Sequence, residues 1–169
     1  MPSSKRKRNY GLELQELGRK MGIHSILFHN AVAERLGLNI TDHKCLEYMI
    51  GTEGITAGEL AKVTGLTTGA ITGVIDRLER AGFARRQPDP HDRRKVVVVA
   101  QQARLPEIGK LFESLSRNMG HAMSNYSPRE YDVVIDFMQR VNDVMREENL
   151  KLRSHAPAAN RNGKPQRSK

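Results

Sequence analysis

Apolar side chains recur at helical spacing along most of this chain. From Leu12 to about Leu36 they fall at Leu17, Met21, Ile23 or His24, Leu27 or Phe28, Ala31 or Val32, and Leu36, which predicts a first helix ended by Gly37. Thr41 is placed to cap a second helix whose inward face is Leu46, Met49 and Ile50, stopping near Gly51 to Gly54. Thr56-Ala57-Gly58-Glu59 then reads as a capping box, because the hydroxyl and the carboxylate can each take a free backbone amide at a helix start. A short helix over 57–63 follows. Gly65 breaks it, Thr67 or Thr68 can cap the next, and Ile71, Val74, Ile75 and Leu78 form that helix's buried stripe as far as Ala81-Gly82. Two short helices joined by a tight glycine-containing turn are a helix-turn-helix.

Beyond Gly82 the period changes. Phe83 to Gln87 and Lys95 to Val99 read as strands, the second containing four consecutive valines, and the segment from Pro88 to Arg94 joins them into a hairpin, the wing. Leu105, Ile108, Leu111 or Phe112, Leu115, Met119 and Ala122 define a long helix. Ser127-Pro128-Arg129-Glu130 is a second capping box, with proline at its preferred first helical position, and the last helix carries Tyr131, Val134, Ile135, Met138, Val141 and Met145. The expected fold is mainly α: a winged helix-turn-helix over 38–103, flanked by helices over 9–37 and 104–150. Those outer helices carry wide apolar stripes that a lone winged helix does not need, so they are expected to pair across a two-fold axis as a homodimerisation region.

Composition narrows the class. The 169 residues include 38% apolar, 28% charged and 5% aromatic side chains, which describes a helix-leaning globular protein. No apolar run approaches the roughly 20 residues needed to span a bilayer, no secretory signal is apparent, and the one cysteine, Cys45, has no partner within the chain, so an intracellular, cytoplasmic protein without membrane contact is expected. The net charge is +9, but it is unevenly placed. Residues 1–8, read as a flexible basic arm, hold four cations, and residues 151–169, read as a disordered basic tail, hold six. Removing these ten from 28 leaves 18 Lys and Arg against 19 acids in the body. Within that near-neutral body Arg80, Arg85, Arg86, Arg93, Arg94, Lys95 and Arg104 face only Asp89 and Asp92, a local excess of five expected of a surface that binds a polyanion.

The recognition helix can be projected from its apolar stripe. With Ile71, Val74, Ile75 and Leu78 inward, the opposite face holds Gly69, Thr72, Gly73, Asp76 and Arg80, flanked by Thr68 and Arg77. Two glycines there cost the helix about 1 kcal/mol each relative to alanine. Their smoothness would let the backbone approach the floor of a major groove, while Thr68 and Thr72 offer a hydroxyl and a methyl to base edges. With Thr67 at the cap, and Arg85, Arg93, Arg94 and Lys95 on the wing, these are the candidate contacts to double-stranded DNA. Ordinary surface variation and a solvated charge cluster are the plainer alternatives.

The stretch Gly58-Glu59-Leu60-Ala61 through Thr64-Gly65-Leu66-Thr67-Thr68, then Val74-Ile75-Asp76-Arg77-Leu78-Glu79-Arg80-Ala81-Gly82, then Asp89-Pro90-His91-Asp92-Arg93-Arg94, resembles the multiple antibiotic resistance regulator (MarR) family of bacterial winged helix-turn-helix transcription factors. The resemblance implies that a wing carboxylate, Asp89 or Asp92, fixes one guanidinium while another arginine reaches a phosphate or the minor groove. It also implies a small aromatic or phenolic ligand between the first two helices and the start of the long one. His24, Phe28, His43 and Tyr48 are the candidates to line that pocket, with Arg35 nearby.

Catalytic signatures are absent: no G-x-S-x-G, G-x-x-x-x-G-K, H-E-x-x-H or C-x-x-C occurs. His24 and His29, five apart, are poorly placed to share a metal, and neither a cofactor nor a metal is expected. Cys45 adjoins Leu46 and Met49 and reads as a small core residue. The sequence therefore points to a homodimeric, sequence-specific transcriptional regulator, most simply a repressor on a pseudo-palindromic operator. A winged helix that binds protein, or a nucleoid-type binder that reads no sequence, is the rival class.

Overall fold

The computed structural model describes residues 9–154, so the basic arm and residues 155–169 of the basic tail lie outside the described residues. The elements run α1 (Tyr10–Arg35), α2 (Ile40–Ile50), α3 (Ala57–Thr64), α4 (Thr68–Arg80), β1 (Ala84–Pro88), β2 (Val96–Ala100), a 3₁₀ turn (Gln102–Arg104), α5 (Leu105–Met123) and α6 (Pro128–Ser154). Two compact units divide between Ser114 and Leu115, within α5.

In the first unit, Asn9 Oδ1 accepts from the Leu12 amide at 3.2 Å and starts α1. Only the end of this helix enters the core, through Val32 and Ala33 with Leu36 just beyond it, whereas Leu12, Leu17, Met21, Ile23 and Leu27 are exposed in the single chain. Helix α2 begins earlier than expected. Asn39, not Thr41, is its cap: Asn39 Oδ1 accepts from the Asp42 amide at 2.9 Å, and Asn39 Nδ2 donates to Asp42 Oδ2 at 2.8 Å. This start puts Asp42 one and two turns before Cys45, Leu46 and Met49 on the same face, so two polar residues, Asp42 and His43, are buried there. Ile50, expected inward, is turned toward solvent instead.

The helix-turn-helix follows its sequence signals closely. In the α3 capping box, Thr56 Oγ1 accepts from the Glu59 amide at 3.2 Å, and the Thr56 amide donates to Glu59 Oε2 at 2.9 Å. Gly65 ends α3 at φ 74°, a left-handed conformation for which glycine carries no side-chain penalty. Thr67, not Thr68, then caps α4, accepting from the Ala70 amide at 3.3 Å. Ile71, Val74, Ile75 and Leu78 are all but completely buried against Leu46, Met49 and Leu60.

The wing strands lie one residue later than expected and pair antiparallel, with Ala84 opposite Ala100, Arg86 opposite Val98 and Pro88 opposite Val96. Ile55 makes a two-bond bridge to Val98, at 3.0 and 2.8 Å, which ties the hairpin to the connection before α3. At the hairpin root Phe83 is buried, its carbonyl accepts from the Gln101 amide at 2.8 Å, and the Arg104 guanidinium sits 4.0 Å over its ring. The 3₁₀ turn that leads into α5 has no side-chain cap.

In the second unit the expected box at α6 is present, with the Ser127 amide donating to Glu130 Oε2 at 2.8 Å and Pro128 first in the helix. Tyr131 closes the preceding turn by donating its hydroxyl to the Met123 carbonyl at 3.0 Å. Tyr131, Val134 and Val141 are half-buried, while Ile135, Met138 and Met145 are exposed. Helix α6 continues to Ser154, four residues into the segment expected to be tail. Lys151 prolongs it by pairing with Glu148 one turn back at 2.7 Å, and Leu150 and Leu152 are good helix formers. No described helix is long and apolar enough to cross a membrane.

Cys45 is fully buried, and its thiol is pushed up to about 11 by burial and by the neighbouring Asp42 carboxylate. A thiol held protonated and out of solvent is a poor nucleophile. Native protein should therefore leave Cys45 unmodified by a disulfide reagent at neutral pH, and one thiol per chain should react after denaturation. Fast labelling of the folded protein would contradict this.

Candidate nucleic-acid interface

The outward face of α4 is smooth. Thr68, Gly69 and Thr72 are exposed, and a Cβ built on Gly69 meets nothing within 4 Å, so packing inside the chain does not demand glycine there. The Thr72 hydroxyl donates back to the Thr68 carbonyl at 3.0 Å, which orients it and leaves its methyl and lone pairs outward. At Gly73 a Cβ would lie 3.4 Å from the Arg77 guanidinium, which arches along the helix.

Arg77 reaches the body of the protein. Its Nε donates to Asp42 Oδ2 at 2.8 Å and its Nη2 to Asp42 Oδ1 at 2.7 Å, a two-pronged bond between α4 and α2. The Asp42 side chain is 3% exposed and that of Arg77 45%, so the acid is the buried partner, and Asn39 supplies its third donor. Of the candidate DNA contacts on α4, Arg77 is thus already committed to an intramolecular bond. Asp42 was not singled out from the sequence, although its place one turn before Cys45 and Leu46 was a legible sign of a buried acid.

A second clamp joins the recognition helix to the wing. Arg86 donates its backbone amide to Glu79 Oε1 at 2.6 Å and its Nη2 to Asp76 Oδ1 at 2.7 Å, and its Nη1 pairs with Glu79 Oε2. Asp76, which the helical projection places outward, is therefore held by the strand. Arg85, one residue earlier, projects from the opposite face of β1 and is exposed without an ion-pair partner among the described residues.

At the wing tip the two aspartates have different tasks. Asp89 Oδ1 accepts from the His91 amide at 2.7 Å and the Asp92 amide at 3.2 Å, which shapes the turn. Asp92 Oδ1 accepts from the Arg94 amide at 3.2 Å and from Arg94 Nε at 3.1 Å. Those bonds, with Lys95 3.8 Å away, hold the Asp92 carboxyl below the usual carboxylate range. Arg94 is thereby the wing arginine tied to a carboxylate, though 91% of its side chain is open to solvent. Arg93 is exposed and has no ion-pair partner among the described residues.

The expected effector pocket is assembled differently. Phe28 and His43 do come together, joined by His29 and Phe112: the Phe28 ring centroid lies 5.3 Å from Phe112, and the His29 centroid 5.5 Å from His43. His24 is exposed, because five residues place it about 140° round α1 from His29. Tyr48 is also exposed and borders an open depression of about 310 Å³ with Lys44 and Glu47. Burial lowers the His43 pKa, so this imidazole is neutral at physiological pH.

These elements match known proteins. A model of the MarR family matches residues 36–95, the span from α2 to the wing tip. The chain is 41% identical over 138 residues to the uncharacterised HTH-type transcriptional regulator YcgE of Bacillus subtilis, covering 82% of this chain and 90% of that protein. The chain belongs to the MarR family of DNA-binding transcriptional regulators. Among its relatives is the HTH-type transcriptional repressor YetL of Bacillus subtilis, 29% identical over 80 residues, or 47% of this chain and 48% of that one. The fold of a MarR family protein from Bacillus stearothermophilus superposes with a TM-score of 0.63 at 20% identity, over 82% of this chain and 99% of that one. A transcriptional regulator of Thermotoga maritima gives 0.58 at 22%, over 83% and 98%. The MarR family is one of transcription regulators, not of enzymes.

Replacing Arg77 by Ala strands the buried Asp42 carboxylate with Asn39 alone, which should destabilise the fold by about 2 kcal/mol. Lysine at position 77 should recover less than half, because it lacks the fork. Urea unfolding with a double-mutant cycle through Asp42→Ala measures the coupling. Additive effects would remove the clamp from the account.

Proposed function

We propose that this MarR-family protein is a homodimeric repressor that binds a pseudo-palindromic operator, with α4 in the major groove and the wing tip on the flanking backbone. The observation that carries the reading is the division among the basic residues. Arg77 and Arg86 are bound to Asp42, Asp76 and Glu79 of the protein itself, whereas Arg85 and Arg93 have no ion-pair partner among the described residues. Open cations, together with an uncrowded helix face, suit a phosphate backbone with bases between. Thr67, Thr68, Gly69, Thr72 and Gly73 would lie nearest the bases, and Arg85, Arg93, Arg94 and Lys95 nearest the phosphates or the minor groove.

The dimer rests on the stripes that the single chain leaves open. Leu17, Met21, Ile23 and Leu27 on α1, and Ile135, Met138 and Met145 on α6, are apolar surface of the kind that marks an interface between chains. A domain layout of a reading head over 38–103 held by dimer-forming helices over 9–37 and 104–150 accommodates both observations. Repression is inferred from the relative named as a repressor. Effector control is assigned to the corner where Phe28, His29, His43 and Phe112 meet, since movement of α1 against α2 there would be passed through Asp42 and Arg77 to α4.

Sequencing the fragments that purified protein retains from random duplexes tests operator recognition. Two inverted half-sites centred about 10 bp apart, or a multiple of that, are expected. Equal affinity for all fragments would leave a nucleoid-type binder, and no binding a protein-interaction module. Arg93→Ala should lower the slope of log affinity against log salt by about one, and Arg94→Ala by no more. Gly69→Ala should stabilise the free protein by up to about 1 kcal/mol yet weaken operator binding, opposite signs that a passive surface position would not give.

A further inference from the structure

The corner between α1 and α2 holds a group of side chains that DNA binding does not use. His29 from α1, and His43 and Glu47 one turn apart on α2, each offer a ligand atom within 4.8 Å of the other two. His43 is 1% exposed. The Nδ1 atoms of His29 and His43 are both buried without a hydrogen-bond partner among the described residues. Glu47 Oε1 lies 3.1 Å from His29 Nδ1 and Oε2 lies 3.8 Å from His43 Nδ1, close but not aligned for hydrogen bonds. Buried polar atoms are almost always partnered, so two such nitrogens converging on one carboxylate call for an occupant.

We propose that His29, His43 and Glu47 bind one divalent transition-metal ion, zinc being the ion their chemistry fits best, and that this ion pins α1 to α2. Two imidazoles and a carboxylate are a donor set for zinc and its neighbours, while magnesium and calcium require oxygen cages. A tetrahedral ion about 2.1 Å from each ligand needs donor atoms roughly 3.4 Å apart, so small side-chain rotations close the site. Glu47 is half-buried and borders the open depression with Lys44 and Tyr48, which gives the ion a way in and leaves the fourth position to water. The adjacent arrangement gives the ion leverage. His43 directly follows Asp42, the residue that holds Arg77 of the recognition helix. Fixing α1 on α2 therefore fixes the platform on which α4 is carried. This regulatory part rests on the DNA-binding reading above, and the metal site itself does not.

The test uses the untagged full-length chain, stripped of metal by a chelator and titrated with cobalt(II). One equivalent per chain should give the visible ligand-field absorption of a four-coordinate site, which zinc then displaces. His29→Gln and Glu47→Gln lie at half-buried positions, so both should fold with melting temperatures near that of the metal-free parent. Each should bind zinc roughly a hundredfold or more weakly by chelator competition. His43→Gln, at the buried position, provides a third variant, with its circular dichroism checked first. Absence of stoichiometric cobalt absorption, or absorption retained in His29→Gln and Glu47→Gln, would overturn the site. Operator binding by anisotropy is measured in parallel. Zinc should change the affinity of the parent at least about fivefold and leave the variants unmoved. A parent indifferent to saturating zinc would overturn the regulatory part. Failure of the metal-free parent to bind any operator would count against the DNA-binding reading alone.

Discussion

Four side chains on a 13-residue helix set the geometry of the reading head. Burying Ile71, Val74, Ile75 and Leu78 together allows α4 only one rotation about its axis. That rotation decides which residues face outward, where Arg77 must go and from which side the strand of the wing can approach. Were the stripe displaced by one residue, Thr72 would enter the core and the open face would be lost. The rest of the head is arranged around this constraint. Leu46 and Met49 of α2 and Leu60 of α3 supply the opposing surface, and the two carboxylate clamps secure what burial has already oriented.

The clamps differ in kind. Asp42 with Arg77 joins a buried acid to a half-exposed base, and the bond matters chiefly because losing it would leave a charge without water or partner. Arg86 with Asp76 and Glu79 lies nearer the surface, where ion pairs contribute little individually. Its importance is directional: one guanidinium and one backbone amide bind two turns of α4, so the first strand of the wing leaves the helix at a fixed angle.

Much of this was legible in the sequence, because it depends on local chemistry. The capping boxes at Thr56 and Ser127, the glycine stop at Gly65, the stripe of α4 and the valine-rich strand are each determined by residues within a few positions of one another. What was not legible depends on distance. The bond from Asp42 to Arg77 spans 35 residues, and the meeting of His29 with His43 requires knowing how α1 crosses α2, which periodicity does not state. His24 falls on the longer apolar stripe of α1. That stripe is open in the single chain, and the side of α1 that turns inward is marked by Val32 and Ala33 near its end. Thr41 and Asn39 are both good caps in sequence, and α2 uses Asn39, two residues before the one expected.

The wing is held at its root and shaped locally at its tip. Its root is held by Phe83 and Arg104, by the bridge from Ile55 to Val98 and by Arg86 on α4, whereas residues 89–95 are shaped by bonds that begin and end among themselves. Such a loop can gain a residue, lose one or change its charge without disturbing the helix it flanks. On the proposed reading of the site, the reach of the wing along a duplex can therefore drift, in a lineage of regulators, separately from the face of α4 assigned to the bases.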